Sequence, residues 1–318
     1  MLKLIGKNGE ETTLDQAIWA DLCEPTDEEI AQVEKRFEVH LPTRAQLSEI
    51  EASSRLRSIK GRLIMSAPLI ARHEDIGVLS PTGFLLLPDA LVTVRFCQMT
   101  AFDQVLEAIE KGDHAVTGQE ILVRLLEDIV DRSADRLERV AEELASASHA
   151  IFREPEKDSK KHRLGHETRR LRGLMVSVGL ASEQMVKVRH AFLAIGRIAS
   201  FVLDRCEPKI EQALHDRLVS VKHDIESLDE FENSLTGRVG LLIDAATGFI
   251  SIEQNDVVKV LTVVSVAGVP PVLIAGVYGM NFHNMPELAW PWGYPFAIAL
   301  MVLSTILPVW WFKYRDWM

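Results

Sequence analysis

At 318 residues, 47% of them hydrophobic and 25% charged, the chain has enough apolar material for a substantial core, which excludes disorder as its main state. Lys and Arg number 35 against 46 Asp and Glu, a net charge of −11. That balance argues against nucleic acid as a partner, because neutralising phosphates takes a basic surface, and it suits cation chemistry better. The three cysteines, Cys23, Cys97 and Cys206, form no CxxC pair, so neither a disulfide framework nor a zinc finger is supported and a reducing compartment is expected. The N-terminal MLKLIGKNGEE turns charged early and lacks the apolar core of a secretory signal.

Residues 1–115 mix β-rich runs, Arg62–Arg72, Gly83–Pro88 and Ala90–Cys97, with helical patterns at Thr26–Phe37 and Thr100–Gly112, predicting a compact α/β domain. From Thr117 to Phe152, Ile121, Leu125, Ile129, Leu137, Val140 and Leu144 keep helical spacing. The charged, proline-containing segment REPEKDSKKHR then precedes a second helical stretch, Glu167–Leu203, and the two are expected to form an antiparallel hairpin over residues 116–206. After Glu207-Pro208, with Pro suited to a first helical turn, the pattern stays helical to Tyr278. An unbroken helix of that length would reach on the order of 100 Å. Leu214, Leu218, Val221, Ile225 and Leu228 step along it as a packed seam, and Gly237, Gly240 and Gly248, each costing ~1 kcal/mol relative to Ala, mark where it would break. This gives a stalk over residues 207–256. His215-Asp216 and His223-Asp224 look metal-like, but a spacing of eight sets them about 80° apart on a helix, so a solvated charged face is the better reading.

Two uncharged runs close the chain, Val260–Val277 and Pro295–Phe312, within a terminal segment 257–318. Each would span about 27 Å as a helix, close to the hydrocarbon thickness of a bilayer. Two membrane spans are expected; the competing reading is a buried helical pair in a soluble core. Lys259 opens the first run, Lys313 and Arg315 follow the second, and Gly279–Tyr294 holds no Lys or Arg, which places both termini in the cytoplasm. Trp290, Trp292 and Tyr294 at the outer edge, and Trp310, Trp311, Tyr314 and Trp317 at the inner, sit where interfacial anchors belong.

A second seam runs back from Gly276 through Val272, Val269, Ser265, Thr262, Val258, Asn255, Ser251 and Gly248 to Asp244. Coiled-coil seams carry Leu and Ile, whereas this one is small and polar. It fits helices around a water-filled axis, or close packing through small residues, and spacing alone leaves both open. Since two helices cannot enclose a pore, conduction would require several copies of the chain about an axis.

Tyr278-Gly279-Met280-Asn281-Phe282, followed by Met285-Pro286-Glu287-Leu288 and then Trp290, Gly293, Tyr294 and Pro295, resembles the CorA family of divalent-cation channels, whose signature is YGMNF followed after two residues by MPEL. The likeness extends back through Lys259-Val260-Leu261-Thr262 and Ile274-Ala275-Gly276-Val277 and forward to the aromatic-basic tail. It implies an α+β cytoplasmic domain, a helical hairpin, a very long stalk helix and two C-terminal transmembrane helices, assembled as a funnel-shaped homopentamer in the inner or plasma membrane. The first span would line the pore through Asn255, Val258, Leu261, Thr262, Ser265, Val269, Val272 and Gly276. The loop Gly279, Met280 and Asn281 would select the ion at the outer entrance. Mg²⁺ releases water reluctantly and prefers oxygen, so a ring of Asn281 amides suits a hydrated ion held in its outer sphere. Gly279 would allow the bend out of the helix, and Met280 would brace it. Glu287 would raise cation concentration at the mouth, while His283 reads as solvated. Asp244 matches a position where relatives carry an acid in a regulatory Mg²⁺ site between subunits; its partner acid is not assignable from the sequence.

Substrates implied are Mg²⁺, with Co²⁺, Ni²⁺ or Zn²⁺ as further candidates, and no enzymatic motif is present. Zinc transport, as in the ZntB branch, is the alternative within transport, although that branch departs from the Met-Asn loop kept here. A membrane-anchored metal sensor without conduction is the alternative outside it. The chain departs from its relatives in the adjacent Pro270-Pro271, a short basic tail, and Val rather than Met at several apolar constrictions.

Overall fold

The computed structural model describes residues 1–7, 9–49, 51, 55–71, 77–111, 117–152, 166–280, 286 and 290–315. The chain divides into two compact units, residues 1–150 with 176–242, and residues 151–175 with 243–318.

In the first unit, β1 (Leu2–Ile5) and β2 (Trp19–Cys23) precede the helices α1 (Asp27–Phe37) and α2 (Arg44–Leu47). Four further strands follow: β3 (Leu56–Ile59), β4 (Arg62–Ile70), β5 (Leu79–Leu86) and β6 (Leu91–Arg95). The sheet order is β1-β2-β6-β5-β4-β3, with β2 and β6 parallel and every other pair antiparallel. The helix α3 (Thr100–Glu110) comes next. Three strands and a short helix add to the runs foreseen, and β5 begins at Leu79 rather than Gly83.

Both faces of the sheet are covered. Ala20, Leu22, Leu85, Val92 and Val94 on one face pack with Val33 of α1 and Leu47 of α2. On the other face, Phe102 of α3 lies 6.2 Å from Phe84 and 6.4 Å from Trp19, centroid to centroid. The start of α1 is set by a capping box, in which Thr26 accepts from the Glu29 N–H and Glu29 accepts from the Thr26 N–H at 2.9 Å. Glu29 also accepts the Leu2 N–H at 2.8 Å, tying β1 to this helix. The Thr26 N–H, first among these contacts, holds the Glu29 carboxyl below its ordinary range.

Three long helices follow: α4 (Gly118–Phe152), α5 (His166–Arg205) and α6 (Gln212–Tyr278). Within the first unit their buried positions keep spacings of three and four, as in Leu137, Val140 and Leu144 of α4 and Val188, Phe192 and Ile195 of α5. Arg217 of α6 binds Glu127 of α4 through Nε at 2.8 Å, and Arg189 of α5 binds Glu232 of α6 at 2.8 Å, with Glu232 itself buried. Pro208 does not open α6, contrary to the expectation from its sequence position. Its carbonyl instead accepts from Gln119 Nε2 at 3.3 Å, and the helical bonding starts with His215 N–H to Glu211 O. From Gln212, α6 continues unbroken through Gly237, Gly240, Gly248 and Pro270-Pro271.

In the second unit, Phe152 meets Phe249 edge-on at 6.2 Å, and the Thr168 hydroxyl donates to the Glu253 carboxylate. The final helix, α7 (Gly293–Tyr314), contains the whole of the second apolar run.

Candidate functional site

The two apolar runs lie on helices whose side chains are turned outward. In the most apolar eighteen-residue windows of α6 and α7, only 6% and 11% of the residues are buried. A core helical pair of a soluble protein would bury most of such a window, so the competing soluble reading is excluded on burial. Trp290, Trp292 and Tyr294 before α7 and in its first turn, and Trp310, Trp311 and Tyr314 in its last, are all exposed. Arg315 stands over the Trp311 ring at 5.5 Å. These amphipathic rings and the adjoining cation are groups that favour the boundary between lipid and water.

The membrane-length part of α6 has two unlike faces. Val263 is buried, and Ala267, Pro270 and Ile274 are half-buried at spacings of four, three and four. The opposite side carries Val258, Ser265, Val269, Val272 and Gly276, all exposed, with Val272 72% exposed. Asn255 and Leu261 are exposed as well, and Thr262 is half-buried at the margin. A Cβ added at Gly276, Gly248, Gly240 or Gly237 would meet nothing within 4 Å. No contact among the described residues therefore demands glycine at those positions.

Three hydroxyls of α6 are turned back on the helix backbone. Thr262 Oγ1 donates to Val258 O at 2.8 Å, Ser251 Oγ to Thr247 O at 3.0 Å, and Thr247 Oγ1 to Ile243 O at 2.8 Å. A hydroxyl whose proton is committed to the backbone presents oxygen lone pairs outward, the polarity that a cation or its hydration water prefers. Lys259, on the covered side, is drawn to Asp256 at 2.9 Å.

At the end of α6, the Gly279 N–H donates to Ala275 O at 2.9 Å and the Met280 N–H to Val277 O at 3.2 Å. A Cβ at Gly279 would lie 3.0 Å from the Ala275 carbonyl. The role of glycine there is this close approach, and its backbone does not enter the left-handed region that the bend suggested. Met280 is exposed rather than packed against its own chain. Asn281, His283 and Glu287 lie outside the described residues, as does Trp317.

Asp244 is exposed on α6, and among the described residues no group of three His, Cys, Asp or Glu side chains converges on a metal site. His215 and His223 are exposed and pair with Asp216 and Glu226 of their own helix, as a solvated face would.

Sequence reading missed a buried, multiply bonded polar group of the first unit. Arg95 and Asp21 are buried side by side between β6 and β2, with Arg95 Nη2 2.9 Å and Nε 3.1 Å from Asp21 Oδ2. Thr93 Oγ1 donates to Asp21 Oδ1 at 2.7 Å and accepts from Trp19 Nε1 at 3.0 Å. Burial disfavours the Arg95 charge most, but the adjacent Asp21 carboxylate and its hydrogen bonds outweigh it and raise the affinity for the proton overall. The signal was one acid and one base, each alone inside an apolar run.

An α/β domain feeding long helices, the last two with outward apolar surfaces and one with a small, polar, exposed stripe, defines a two-span membrane protein suited to assembly around an axis. The model of the CorA-like Mg²⁺ transporter proteins matches residues 15–314, and the chain belongs to that family. It is 32% identical over 312 residues to the magnesium transport protein CorA of Sodalis glossinidius, covering 97% of this chain and 94% of that one. The CorA magnesium transport protein of Escherichia coli K12 is likewise 32% identical, over 315 residues, with the same coverage. Among solved structures, the complete CorA magnesium transporter of Methanocaldococcus jannaschii superposes with a TM-score of 0.76 at 19% identity, covering 97% of this chain and 94% of that one, which establishes the fold.

Proposed function

We propose that the chain forms a homopentameric channel that carries hydrated Mg²⁺, and secondarily Co²⁺ or Ni²⁺, passively across the inner or plasma membrane. The exposed stripe of α6 carries this reading. Lipid could cover its apolar members, Val258, Leu261, Val269 and Val272, but not the polar members between them, which offer oxygen toward an aqueous axis. Around a common axis, the valines and Leu261 would form rings narrow enough to close the path by excluding water, and Asn255, Thr262 and Ser265 would supply polar steps between them. The Gly279, Met280 and Asn281 segments would meet at the outer mouth, with Asn281 bonding the water shell and Glu287 drawing cations in.

The division of labour follows: residues 1–115 and 116–206 form the cytoplasmic sensing body, 207–256 the stalk, and 257–318 the membrane hairpin. Both termini are cytoplasmic, as Lys259, Lys313 and Arg315 favour. Zinc is the weaker candidate, because it favours nitrogen and sulfur ligands and the stripe offers oxygen.

The test is ion uptake into vesicles carrying the purified chain under an inside-negative potential, which favours entry by ~2.3 kcal/mol per charge per 100 mV. Mg²⁺ uptake that rises with the potential, with Co²⁺ competing and Zn²⁺ not, is the expected result. A monomeric, non-conducting chain would establish the anchored-sensor reading instead. Closure would come from cytosolic Mg²⁺ bridging subunits at Asp244, whose exposure leaves it free for an acid of another copy. Asp244→Ala is therefore expected to weaken inhibition by internal Mg²⁺ several-fold without lowering maximal uptake; unchanged inhibition would remove Asp244 from the site.

A further inference from the structure

A second site lies in the first unit. A cavity of about 230 Å³ is walled on one side by Arg132, Arg136 and Arg139 of α4, and on another by Met99, Thr100 and Ala101, where α3 begins. Three guanidinium groups lining one hollow stand out in a chain of net charge −11. Their commitments differ. Arg132 Nε is held by Asp128 at 2.6 Å, and Arg139 gives its Nε to the Asp135 carbonyl at 3.2 Å, keeping its two terminal nitrogens. Arg136, half-buried, has no hydrogen-bond acceptor or ion-pair partner among the described residues. Burial first, then the charges of Arg139 and Arg132, work against its own charge.

The surroundings make room for that guanidinium. A Cβ at Gly77 would fall against Ile70 Cγ2 and 2.8 Å from Arg136 Nη1, so the glycine leaves that guanidinium the space it occupies. Met99, at the cap of α3, provides no side-chain acceptor for the first-turn N–H groups, which leaves them as donors beside the arginines, while Asp103 of the same turn is drawn toward Arg95 at 3.8 Å. The Ser80 hydroxyl, buried without a partner, stands opposite Leu69 on the same sheet face, and Leu69 lines the cavity. Among the described residues Asp135 is the one acid of the lining, and the cationic side chains outnumber it.

We propose that this cavity binds a phosphate group, carried by inorganic phosphate or by a nucleotide, between the guanidinium groups of Arg136 and Arg139 and the first turn of α3. A tetrahedral dianion matches the planar fork of arginine through paired N–H donors and relieves the repulsion among three like charges. The site is independent of the conduction path and does not rest on the proposed ion selectivity.

The experiment is calorimetric titration of the full chain in detergent, with EDTA and at constant ionic strength, using sodium phosphate and, separately, ATP. Saturable binding of at least one of them is expected. Arg136→Gln and Arg139→Gln should each weaken it about tenfold or more, Arg136→Lys should fall between, and Arg205→Gln, at an exposed arginine outside the cavity, should change nothing. Tighter binding of ATP identifies a nucleotide as the source, and equal or tighter binding of phosphate identifies the free ion. Absence of saturable binding, or binding that survives both glutamine substitutions, overturns the proposal. Arg139 is exposed, so its variant tests the site even if Arg136→Gln fails to assemble.

Discussion

Asn281→Ala is expected to reduce Mg²⁺ uptake at least about a hundredfold while leaving the assembly intact. The magnitude follows from what the amide would do at the mouth. A hydrogen bond involving a charged group is worth ~1.5–3 kcal/mol net, and water polarised by Mg²⁺ behaves as such a donor. Losing only two of the amides that a ring supplies removes about 3 kcal/mol, roughly a factor of a hundred. Alanine at this position leaves no side-chain acceptor, and the hydrogen bonds that end α6, from Gly279 to Ala275 and from Met280 to Val277, involve backbone alone and are unaffected. Asn281→Asp provides the opposite test. It retains an oxygen acceptor but adds a charge per subunit, and a site that binds more tightly releases more slowly, so uptake falls while apparent affinity rises. Uptake by Asn281→Ala within twofold of the unsubstituted chain, measured on material of unchanged oligomeric size, would show that the amide ring does not select the ion.

Elements whose pattern repeats over many turns were legible before any coordinates. α4, α5 and α6 carry apolar residues at spacings of three and four over tens of residues, so chance irregularities average out. The continuity of α6 through three glycines and two prolines follows the same logic. An isolated glycine costs ~1 kcal/mol, small against the propagation of a helix this long, and Pro270-Pro271 lie eight and seven residues before its end. The short strands were harder. β1 and β3 have four residues each, too few for alternation to show. β2, Trp-Ala-Asp-Leu-Cys, alternates nowhere, because both of its faces are covered and its acid is buried with the rest.

The candidate site was read in a different way. Composition located the spans, and the motif at residues 278–288 gave the family resemblance, but neither chooses between a hydrated axis and close helix packing. The structure adds that the small stripe lies on the uncovered side of α6, opposite Val263 and Ile274. It also adds that the hydroxyls of Ser251 and Thr262 are bonded to their own helix. The arginine cavity was invisible for a simple reason. Arg132, Arg136 and Arg139 read in sequence as the solvated side of an amphipathic helix, and only the fold brings the beginning of α3 against them.

Arg95→Met is expected to destabilise the first unit by ~3–5 kcal/mol, the usual cost of stranding one member of a buried ion pair. For a unit of this size that lowers the apparent Tm by ~10 °C. The surroundings of the pair make a large value reasonable. The two side chains are 3% and 1% exposed, so water cannot replace the missing partner, and among the described residues Asp21 would retain only the Thr93 hydroxyl at 2.7 Å. Methionine keeps an unbranched apolar stem of similar reach but loses the guanidinium, whose carbon lies 4.9 Å from the Phe102 ring centroid, so the lost cation–ring contact adds to the effect. Asp21→Leu should cost less, because Arg95 keeps the Cys97 carbonyl at 3.2 Å and the Asp103 carboxylate at 3.8 Å. Because two charges are expensive to bury even when paired, the double variant Asp21→Leu with Arg95→Met should recover at least half of either single loss. What prevents full recovery is Thr93, which would keep the Trp19 donor at 3.0 Å but lose the acceptor for its own proton. Thermal melting of the full chain in detergent, run on both singles and the double, measures the coupling. Additive losses would mean that the two charges stabilise the fold independently and that their short contact contributes little.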